Sequence, residues 1–466
     1  MRIDSVTLAA VVGGTVQGPA GFFSGVALDS RAAQPGDLFV ALKGPHHDGH
    51  DHLAEALKNA AGALVSRSLS LRSLPAERTL VRVPDPLVAL RSLARYARET
   101  LKLTVVGITG SVGKTTTKEM TAELLSARFR VARSKGNLNN TIGLPAELAR
   151  IDEETQVAVL EMGMSTPGEI RLLSELARPD IAVITAIEPV HLVNFASVDG
   201  ILEAKAEILA GMSRDGILVL NADDERVLSI GKRHRGRIVR YGLSGQPGAA
   251  ALDVAATEIV AEGGSSRFLL RLGDEVVSVS LPIPGRHSIS NFLAAAAVAH
   301  VLGVSTAEIL EKTAGLLPAR HRGEVSVLRG DLLLYDDSYN SSPAALHAAF
   351  EGFESVAGAR RRIAVVGEML ELGQRSPEFH LEAGRKLGGR FDVLIAVGGE
   401  AASLAVGAKK AGASAEAVHF VENVQEAIPL IGQILRPGDA LFVKGSRGVQ
   451  LDRLVDAVTA SRGTPS

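Results

Sequence analysis

Short uninterrupted runs of apolar residues dominate the middle of the chain. From Leu103 onward they recur as LTVVGIT, QVAVLEM, DIAVITA and GILVLNA. Runs of this length without alternation are typical of strands that a parallel sheet buries on both faces. Residues 114–127 and 166–177, which lie between these runs, are predicted to be helical. The alternation of strand and helix predicts a doubly wound α/β domain.

Similar patterns flank this region on both sides. Residues 25–42 predict two strands around a turn at Pro35-Gly36, and residues 87–101 carry apolar positions at helical spacing. After Pro318 the runs RIAVVGEM, FDVLIAVGG and DALFVKGS predict three further buried strands separated by helices. The sequence therefore predicts three α/β domains, at residues 1–98, 99–317 and 318–466, the last of them Rossmann-like.

Two segments near the end of the central domain depart from the alternation. The run RFLLRLGDEVVSVSLPI predicts a β-hairpin that turns at Gly273-Asp274. The alanine-rich residues 289–302 predict a buried helix.

Composition and charge narrow the classes of function. The 466 residues include 50 basic and 52 acidic side chains, so no basic surplus predicts binding to nucleic acid or to an anionic membrane. Cysteine is absent, which excludes disulfides and thiolate chemistry. The longest near-apolar run, residues 292–304, is too short to span a bilayer, and the first residues do not have a signal-peptide pattern. We therefore predict a soluble, cytoplasmic protein.

The sharpest local motif is VVGITGSVGKTTTKEM, a strand that runs into a glycine-rich turn and then a helix. Glycines let backbone N–H groups approach phosphate oxygens, and the helix directs its positive end toward them. Lys114 would reach the β- and γ-phosphates, and the Thr115 hydroxyl would bind Mg²⁺. Five residues, not the usual four, separate Gly107 from Gly113. The predicted nucleotide-binding residues of this loop are Gly110, Ser111, Val112, Gly113, Lys114, Thr115 and Thr116.

Further stretches carry a resemblance to a known family. The loop ITGSVGKTTTKEM resembles the Thr-Gly-x-x-Gly-Lys-Thr/Ser-Thr loop of the Mur ligase family. Other similar stretches, from about residue 26 to about residue 450, are LDSRAAQPGDLFVAL, DGHDH, NLNNTIGLP, EMGMSTPGEI, HLVNFASVDGILEAKAEI, DDSYNSSP, GEMLELG and VKGSRG. Together they are most similar to the branch of the family that joins D-alanyl-D-alanine to UDP-N-acetylmuramoyl-tripeptide.

The resemblance implies a reaction, its cofactors and its partners. In such ligases ATP, with Mg²⁺, phosphorylates a carboxylate, and an amine then attacks the acyl phosphate. The resemblance implies an N-terminal domain that holds the UDP end of the substrate, a central P-loop domain that holds ATP, and a C-terminal domain that brings the dipeptide. The implied partners are small molecules of peptidoglycan synthesis, and the implied state is a monomer.

The same resemblance assigns the catalytic residues Lys114, Glu161, His191 and Lys205. Glu161 ends a buried strand, where an ionised carboxylate is costly without a cation, and the resemblance makes it and His191 ligands of Mg²⁺. Lys205 lies between Glu203 and Glu207, a pattern that by itself favours an exposed helical charge cluster. The family has a carbamylated lysine at this point, an anion that would bind or orient a second Mg²⁺.

The remaining assignments also come from the resemblance. Asn291 would contact adenine and Asp337 the ribose, while Arg322 would meet the ATP phosphate or ribose, with Arg320 close enough to leave the register open. The predicted contacts to the other substrates are Asp29, Ser30, Arg31, Asn137, Asn140, Tyr339, Asn340, Lys444, Ser446 and Arg447.

The chain also departs from the family pattern. Ser341-Ser342 precede Pro343, where the family commonly has Ala-Asn-Pro, and Glu368 replaces the usual aspartate of the GEMLELG stretch that comes before Ser376 and His380. The histidines His46, His47, His50 and His52 lie within or just before the DGHDH stretch, which favours a uridine site over a metal site.

Four alternatives to this assignment can be compared with the sequence. A GTPase would need an Asn-Lys-x-Asp run, and the sibling ligase that adds the third amino acid would have Asp-Asn-Pro-Arg; neither run occurs. A folate polyglutamylating ligase would not need the N-terminal DSR…PGDLFVAL region. A nucleotide-binding module that has lost turnover would bind ATP tightly without releasing phosphate. The sequence does not indicate whether the tripeptide ends in lysine or in a diamino acid.

Overall fold

A computed structural model of the chain describes residues 1–67, 77–190, 192–243 and 252–463. In this part of the chain the strands form a two-stranded ladder and sheets of five, nine and six strands. The larger three sheets belong to three successive α/β domains, which confirms the predicted fold class. No helix among these residues is long and apolar enough to cross a bilayer. The predicted metal ligand His191 lies outside the described residues.

The N-terminal domain has a mostly parallel sheet. Its elements are β1 (Ile3–Asp4), α1 (Ser5–Val12), β2 (Thr15–Gln17), β3 (Phe22–Phe23), β4 (Gly25–Ala27), β5 (Asp37–Val40), α2 (Leu53–Ala56), β6 (Gly62–Val65), β7 (Thr79–Arg82) and α3 (Pro86–Thr100). The strand order is β2-β7-β6-β5-β4, with β2 antiparallel at the edge. The predicted strands around Pro35-Gly36 are β4 and β5, and they run parallel to each other.

The central domain has the predicted parallel sheet, extended by the predicted hairpin. Its strand order is β16-β15-β14-β13-β12-β11-β8-β10-β9, and among these described strands the pairings are parallel except for β14–β15 and β15–β16. The elements are β8 (Thr104–Thr109), α4 (Lys114–Leu125), β9 (Val131–Arg133), α5 (Gly143–Arg150), β10 (Val157–Glu161), α6 (Glu169–Ala177), β11 (Ile181–Ile184), α7 (Val198–Ala206), β12 (Ile217–Asn221), α8 (Glu225–Ile230), β13 (Ile238–Gly242), β14 (Val254–Glu262), β15 (Ser265–Leu272), β16 (Glu275–Leu281), α9 (Arg286–Val301) and α10 (Thr306–Thr313).

The order of the central strands positions the glycine-rich loop. From β8 the chain crosses over to β9 on one side and later returns to β11 on the other, so β8 lies between β10 and β11. A crevice opens outside the carboxyl ends of the strands where the chain changes direction in this way, and ligands bind there in open α/β sheets. The loop after β8 therefore occupies the binding edge of the sheet.

The C-terminal domain repeats this arrangement with a smaller sheet. Its elements are β17 (Glu324–Leu328), β18 (Leu332–Asp337), α11 (Pro343–Ala357), β19 (Arg362–Gly367), α12 (Ser376–Leu387), β20 (Val393–Val397), α13 (Ala401–Lys410), β21 (Val418–Val421), α14 (Val424–Ile434), β22 (Ala440–Lys444) and α15 (Asp452–Arg462). The strand order is β17-β18-β22-β19-β20-β21, parallel except for β17. Strands β19, β20 and β22 are the three that the sequence predicts.

The first two domains share a hydrophobic core, whereas the C-terminal domain has its own. One cluster is continuous between the first two domains, with Leu90 and Leu93 of α3 in the same core as Leu144 and Leu173. The C-terminal domain has two clusters of its own on the two faces of its sheet. A backbone hydrogen bond from Val193 N–H to Glu371 O, 3.4 Å long, joins the central and C-terminal domains. The C-terminal domain is therefore the part best able to rotate as a separate body.

Helices α12 and α13 contact each other through glycines, which gives a stability prediction. A Cβ at Gly384 would lie 2.0 Å from Leu404 O, and one at Gly407 would lie 2.1 Å from Leu381 O. Gly384→Ala is expected to lower the free energy of unfolding of this domain by about 3 kcal/mol, because the helices must separate. Scanning calorimetry of the intact chain would measure the shift of the transition.

The matched control for this change is Gly432→Ala in α14. A Cβ at Gly432 meets nothing within 4 Å. Alanine there is expected to raise the free energy of unfolding by about 0.5–1 kcal/mol, because it restricts the unfolded chain. Equal transition temperatures for the two variants would contradict the close contact of the helices.

Candidate active site

The loop between β8 and α4 requires glycine at two positions. Gly110 and Gly113 have φ angles of +150° and +82°, which favour glycine. A Cβ at Gly110 would lie 1.9 Å from Thr185 Oγ1, and a Cβ at Gly113 would lie 2.3 Å from Asn291 Oδ1. The loop is therefore held between the end of β11 and the first turns of α9, and Asn291 lies beside it.

Lys114 is folded back onto this loop. Its Nζ donates hydrogen bonds to Gly110 O (2.8 Å) and Ser111 O (3.1 Å). Burial lowers the pKa of Lys114 below its usual value; Glu161 opposes that shift and Arg322 adds to it. The ammonium group thus lies where phosphate oxygens would replace the two carbonyl groups as acceptors.

A carboxylate and a hydroxyl meet beside the loop. Glu161, the last residue of β10, is 2% exposed and pairs in register with Ile108 of β8. Its Oε2 accepts a hydrogen bond from Thr115 Oγ1 (2.8 Å), and its Oε1 accepts one from Asn139 Nδ2 (2.8 Å). Thr115 and Glu161, both predicted to be Mg²⁺ ligands, are therefore hydrogen-bonded to each other.

Lys205 is buried, so its interpretation as part of an exposed charge cluster is wrong. Its side chain in α7 is enclosed, and burial lowers its pKa well below the usual value; Lys114 adds to the shift, while Glu161 and Glu169 oppose it. The neighbouring glutamates face elsewhere. Glu203 forms an ion pair with Arg233 (2.5 Å), and Glu207 accepts a hydrogen bond from Gly168 N–H (2.9 Å).

This donor set fits Mg²⁺ bound mainly by phosphate and water. Among the described residues, no group of three or more His, Asp or Glu side chains is arranged to enclose a metal ion. Mg²⁺ usually keeps several waters and takes one or two carboxylates together with substrate phosphates. The carboxylate of Glu161 and the hydroxyl of Thr115, next to a phosphate-binding loop, meet that requirement.

The C-terminal domain contributes a second group of predicted residues. The Arg322 guanidinium lies 4.3 Å from the centre of the Tyr339 ring, and Arg447 lies 5.5 Å from the same ring. Buried Lys444 donates hydrogen bonds to Asp337 Oδ2 (2.6 Å) and Asn340 O (2.9 Å). Arg320 is exposed, whereas Arg322 is near enough to Lys114 to add to the lowering of its pKa.

Other predicted residues are placed away from this group. Asp29 begins a 3-10 turn and pairs with Arg31, whose hydrogen bonds lower the pKa of Asp29 to about 2. Ser30 Oγ donates a hydrogen bond to Glu55 (2.6 Å). Asn137 is exposed, and Asn140 Oδ1 accepts hydrogen bonds from backbone N–H groups at the start of α5.

The histidine group near residue 50 is built around one buried ring. His50 Nδ1 lies 2.6 Å from Asp48 Oδ1, and His50 Nε2 accepts a hydrogen bond from Ser66 N–H (3.0 Å). Both ring nitrogens are thus engaged within the protein. His46, His47 and His52 are exposed.

Sequence reasoning missed three residues of the site. Asn139 binds Glu161, although its neighbours in NLNN were the predicted contacts. Thr185 follows β11, and its hydroxyl donates a hydrogen bond to Val112 O (2.5 Å), which fixes the phosphate loop to the end of this strand. His287 is partly buried in the first turn of α9, and burial lowers its pKa, with Asp337 opposing the shift. A polar residue at the carboxyl end of a buried strand was the signal that could have found Thr185.

Comparisons with known proteins agree with this architecture. Residues 23–98 match the catalytic domain of the Mur ligase family, residues 108–299 the Mur ligase middle domain, and residues 321–447 the glutamate ligase domain of Mur ligases. The chain belongs to the Mur ligase family.

Similar proteins within the family share one activity in their names. The UDP-N-acetylmuramoyl-tripeptide–D-alanyl-D-alanine ligase of Bacillus subtilis is 34% identical, over 96% of both chains. The crystal structure of MurF from Acinetobacter baumannii is 31% identical, with a TM-score of 0.86 over 99% of both chains. MurF from Thermotoga maritima, solved in complex with ADP, is 29% identical, with a TM-score of 0.78 over 93% of this chain and 96% of that one.

Proposed function

We propose that the protein joins D-alanyl-D-alanine to UDP-N-acetylmuramoyl-tripeptide in an ATP-dependent reaction that passes through an acyl phosphate. The product would be the pentapeptide precursor of peptidoglycan, with ADP and phosphate, made in the cytoplasm. The observation that carries the proposal is the group formed by Lys114, Thr115, Glu161 and Lys205 around the phosphate loop. This group lies in a chain that aligns over nearly its full length with ligases of this name.

In the first half of the reaction the tripeptide carboxylate attacks the γ-phosphorus of ATP. A bond forms between carboxylate oxygen and phosphorus, and the bond to the β-phosphate oxygen breaks to release ADP. Lys114 would leave the carbonyl groups of Gly110 and Ser111 to contact the phosphates, and the positive end of α4 would face them. These cationic groups offset the negative charge that spreads over the transferred group.

Thr115 and Glu161 would hold Mg²⁺, with His191 and a carbamylated Lys205 as further ligands. The ion would supply additional neutralisation of phosphate charge. Asn139, which fixes the Glu161 carboxylate, would keep that ligand oriented.

Carbamylation of Lys205 is chemically favoured by its surroundings. The neutral amine attacks CO₂, a C–N bond forms, and one proton leaves to give a carbamate anion. A lysine with a pKa well below the usual value has more of this neutral form at neutral pH. The resulting anion would be paired with Lys114 and bound metal rather than left alone in the interior.

In the second half the amine of D-alanyl-D-alanine attacks the acyl carbon. The new C–N bond forms, phosphate leaves, and the amine loses a proton to solvent or phosphate. We propose that the C-terminal domain brings the dipeptide and contacts the ribose of ATP through Asp337. The central domain would hold ATP through Asn291, and the N-terminal domain would hold the UDP end through Asp29, Ser30 and Arg31. Because one chain carries all three sites, we propose that it works as a monomer.

The test of this function is phosphate release from ATP with Mg²⁺ and UDP-N-acetylmuramoyl-tripeptide, with and without D-alanyl-D-alanine. We expect release to require both substrates and a pentapeptide product to appear by mass spectrometry. Release with another amine would assign a sibling activity. Tight ATP binding without release would indicate a binding module.

Arg322 and Arg320 offer a matched pair for the nucleotide contact. Arg322→Ala is expected to raise KM for ATP and lower kcat, together about 10²-fold in kcat/KM, because a guanidinium near the phosphates would be lost. Arg320→Ala should stay within about twofold, since its side chain is exposed. Steady-state kinetics with varied ATP would measure both. The reverse ranking would assign the contact to Arg320.

A further inference from the structure

Glu368 follows β19 at the binding edge of the C-terminal sheet. Strand β22 lies between β18 and β19, so the chain reverses direction here, and ligands bind outside the carboxyl ends of strands at such points. The loop after β22 borders the same crevice. Ser446 N–H donates a hydrogen bond to Glu368 O (3.1 Å), and Leu370 N–H donates one to Ser446 Oγ (2.9 Å). The two loops are therefore fixed to each other.

The Glu368 carboxylate occupies space that two glycines leave free. A Cβ at Gly399 would lie 2.9 Å from Glu368 Oε2 and 3.3 Å from Oε1, and one at Gly398 would lie 3.7 Å from Oε2. The side chain is partly buried, yet within the described residues no hydrogen bond or ion pair reaches its carboxylate oxygens. Neither oxygen is one of the fully buried side-chain atoms that lack a partner in the described part of the chain, so the carboxylate is open to water and within reach of an incoming cation.

The nearest histidine does not supply that cation. His380 Nε2 accepts a hydrogen bond from Met369 N–H (2.8 Å), and its Nδ1 lies 2.8 Å from Ser376 O, an acceptor. This arrangement needs the neutral ring, and burial lowers the pKa of His380, with Ser376 O, Glu368 and Glu400 opposing the shift. His380 thus supports the loop that carries Glu368 and leaves the charge of Glu368 uncompensated.

The loop after β22 also carries a free cation. The Arg447 guanidinium is exposed and contacts the Tyr339 ring and hydroxyl, and in the described part of the chain it forms no ion pair. The crevice therefore presents a carboxylate on one loop and a guanidinium on the next. A small zwitterion, with an ammonium group at one end and a carboxylate at the other, is the ligand that complements both.

We propose that Glu368 binds the ammonium group of the incoming dipeptide and Arg447 its carboxylate, which makes Glu368 a specificity-determining residue for the amine substrate. This inference rests on the proposed function. It identifies the Glu368 side of the crevice as the part that selects a ligand with an amino group. A ligand of the same shape without an amino group would leave the Glu368 carboxylate unpaired and would be rejected.

A second carboxyl group provides the rival location. Glu188 lies between the central and C-terminal domains in a cavity of about 310 Å³ that His347 and Lys386 also line. Burial and the nearby Asp224 raise the pKa of Glu188. A carboxyl group that holds its proton more tightly is a weaker partner for ammonium, so Glu368 is the better supported of the two.

The experiment compares two ligands in the wild type and four variants of the full-length enzyme. The ligands are D-alanyl-D-alanine and propanoyl-D-alanine, which has the same shape without the amino group and acts as a competitive probe. In the wild type we expect the dipeptide to bind about 10- to 100-fold more tightly than the probe. Glu368→Gln should reduce this ratio to near one and raise KM for the dipeptide by the same factor, with KM for ATP and the UDP substrate unchanged.

Controls separate charge from structure. Glu416→Gln removes the same charge from an exposed position before β21 and should behave as wild type. Glu368→Asp, which keeps the charge, should restore part of the ratio. Glu368→Gln with an unchanged ratio, or with both ligands weakened equally, would overturn the inference. Loss of the ratio in Glu188→Gln instead would place the ammonium group in the interdomain cavity and overturn it too.

The proposed function is tested separately by the wild type. If it makes the pentapeptide while Glu368→Gln discriminates normally, the function stands and the inference fails. If the wild type makes no pentapeptide, the proposed function fails and the inference falls with it.

Discussion

Replacing Lys114 with methionine is expected to lower kcat for phosphate release about 10³-fold. The side chain keeps its length but loses the cation that lies over the carbonyl groups of Gly110 and Ser111. Binding of ATP should weaken less, because the backbone N–H groups of the loop and the helix α4 dipole remain. Single-turnover phosphate release, with a fluorescent nucleotide to measure binding, would separate the two effects.

The same variant is expected to keep or gain stability. The pKa of Lys114 lies below its usual value, so the unfolded chain binds this proton more readily, and between the two pKa values stability rises with pH. The cation at this partly buried position is thus held at a cost that methionine removes. Lys102→Met, at an exposed position before β8, is the control and should leave kcat and stability unchanged. A destabilised Lys114→Met would mean that the lysine serves the fold instead.

Replacing Lys205 with alanine is expected to lower kcat about 10²- to 10³-fold, because the proposed carbamate anion would be lost beside the residues proposed to bind the metal. A small carboxylic acid such as acetate or propionate, added to Lys205→Ala, should restore part of the activity by filling the vacated space with an anion. Lys232→Ala, exposed beyond α8, should match the wild type with or without the acid. Full activity of Lys205→Ala would remove the lysine from the mechanism.

The modification itself has a pH dependence with a definite sign. Only the neutral amine attacks CO₂, so carbamylation and activity should fall as pH decreases. Because the pKa of Lys205 is well below the usual value, the loss should begin at a lower pH than for an exposed lysine. Carbamate detected by NMR with isotopically labelled bicarbonate, and activity in CO₂-depleted buffer, would measure this. Activity that does not depend on the bicarbonate concentration would contradict the carbamylation of Lys205.

The sequence predicts the buried strands well and the edge strands poorly. Strands such as β8 and β10 are continuous apolar runs because helices cover both faces. By contrast, β9 has three residues, none fully buried, and in β17 only the last residue, Leu328, is buried. Such strands are defined by the partner they pair with, which the local pattern does not contain.

The site residues also fall into two groups: some can be predicted from neighbouring sequence, and others depend on contacts between distant parts of the chain. The phosphate loop is local, so its glycines, Lys114 and Thr115 could be predicted from order and spacing. The contact of Asn291 with Gly113 joins residues far apart in the sequence and entered the prediction only through the family resemblance. Burial of Lys205 depends on which face of α7 meets the loop, and the flanking glutamates concealed it. Tertiary packing, not residue type, decides these cases.

The four alanines of α9, residues 294–297, are completely enclosed and share a core with Met120 and Leu124 of α4. Their small size sets the spacing between two helices whose first turns lie beside the phosphate loop. A single extra methylene there would push α4 outward and shift the first turn that carries Lys114. A selection for altered turnover would therefore recover substitutions in this buried stretch, and they would mimic active-site variants although no substrate ever reaches them.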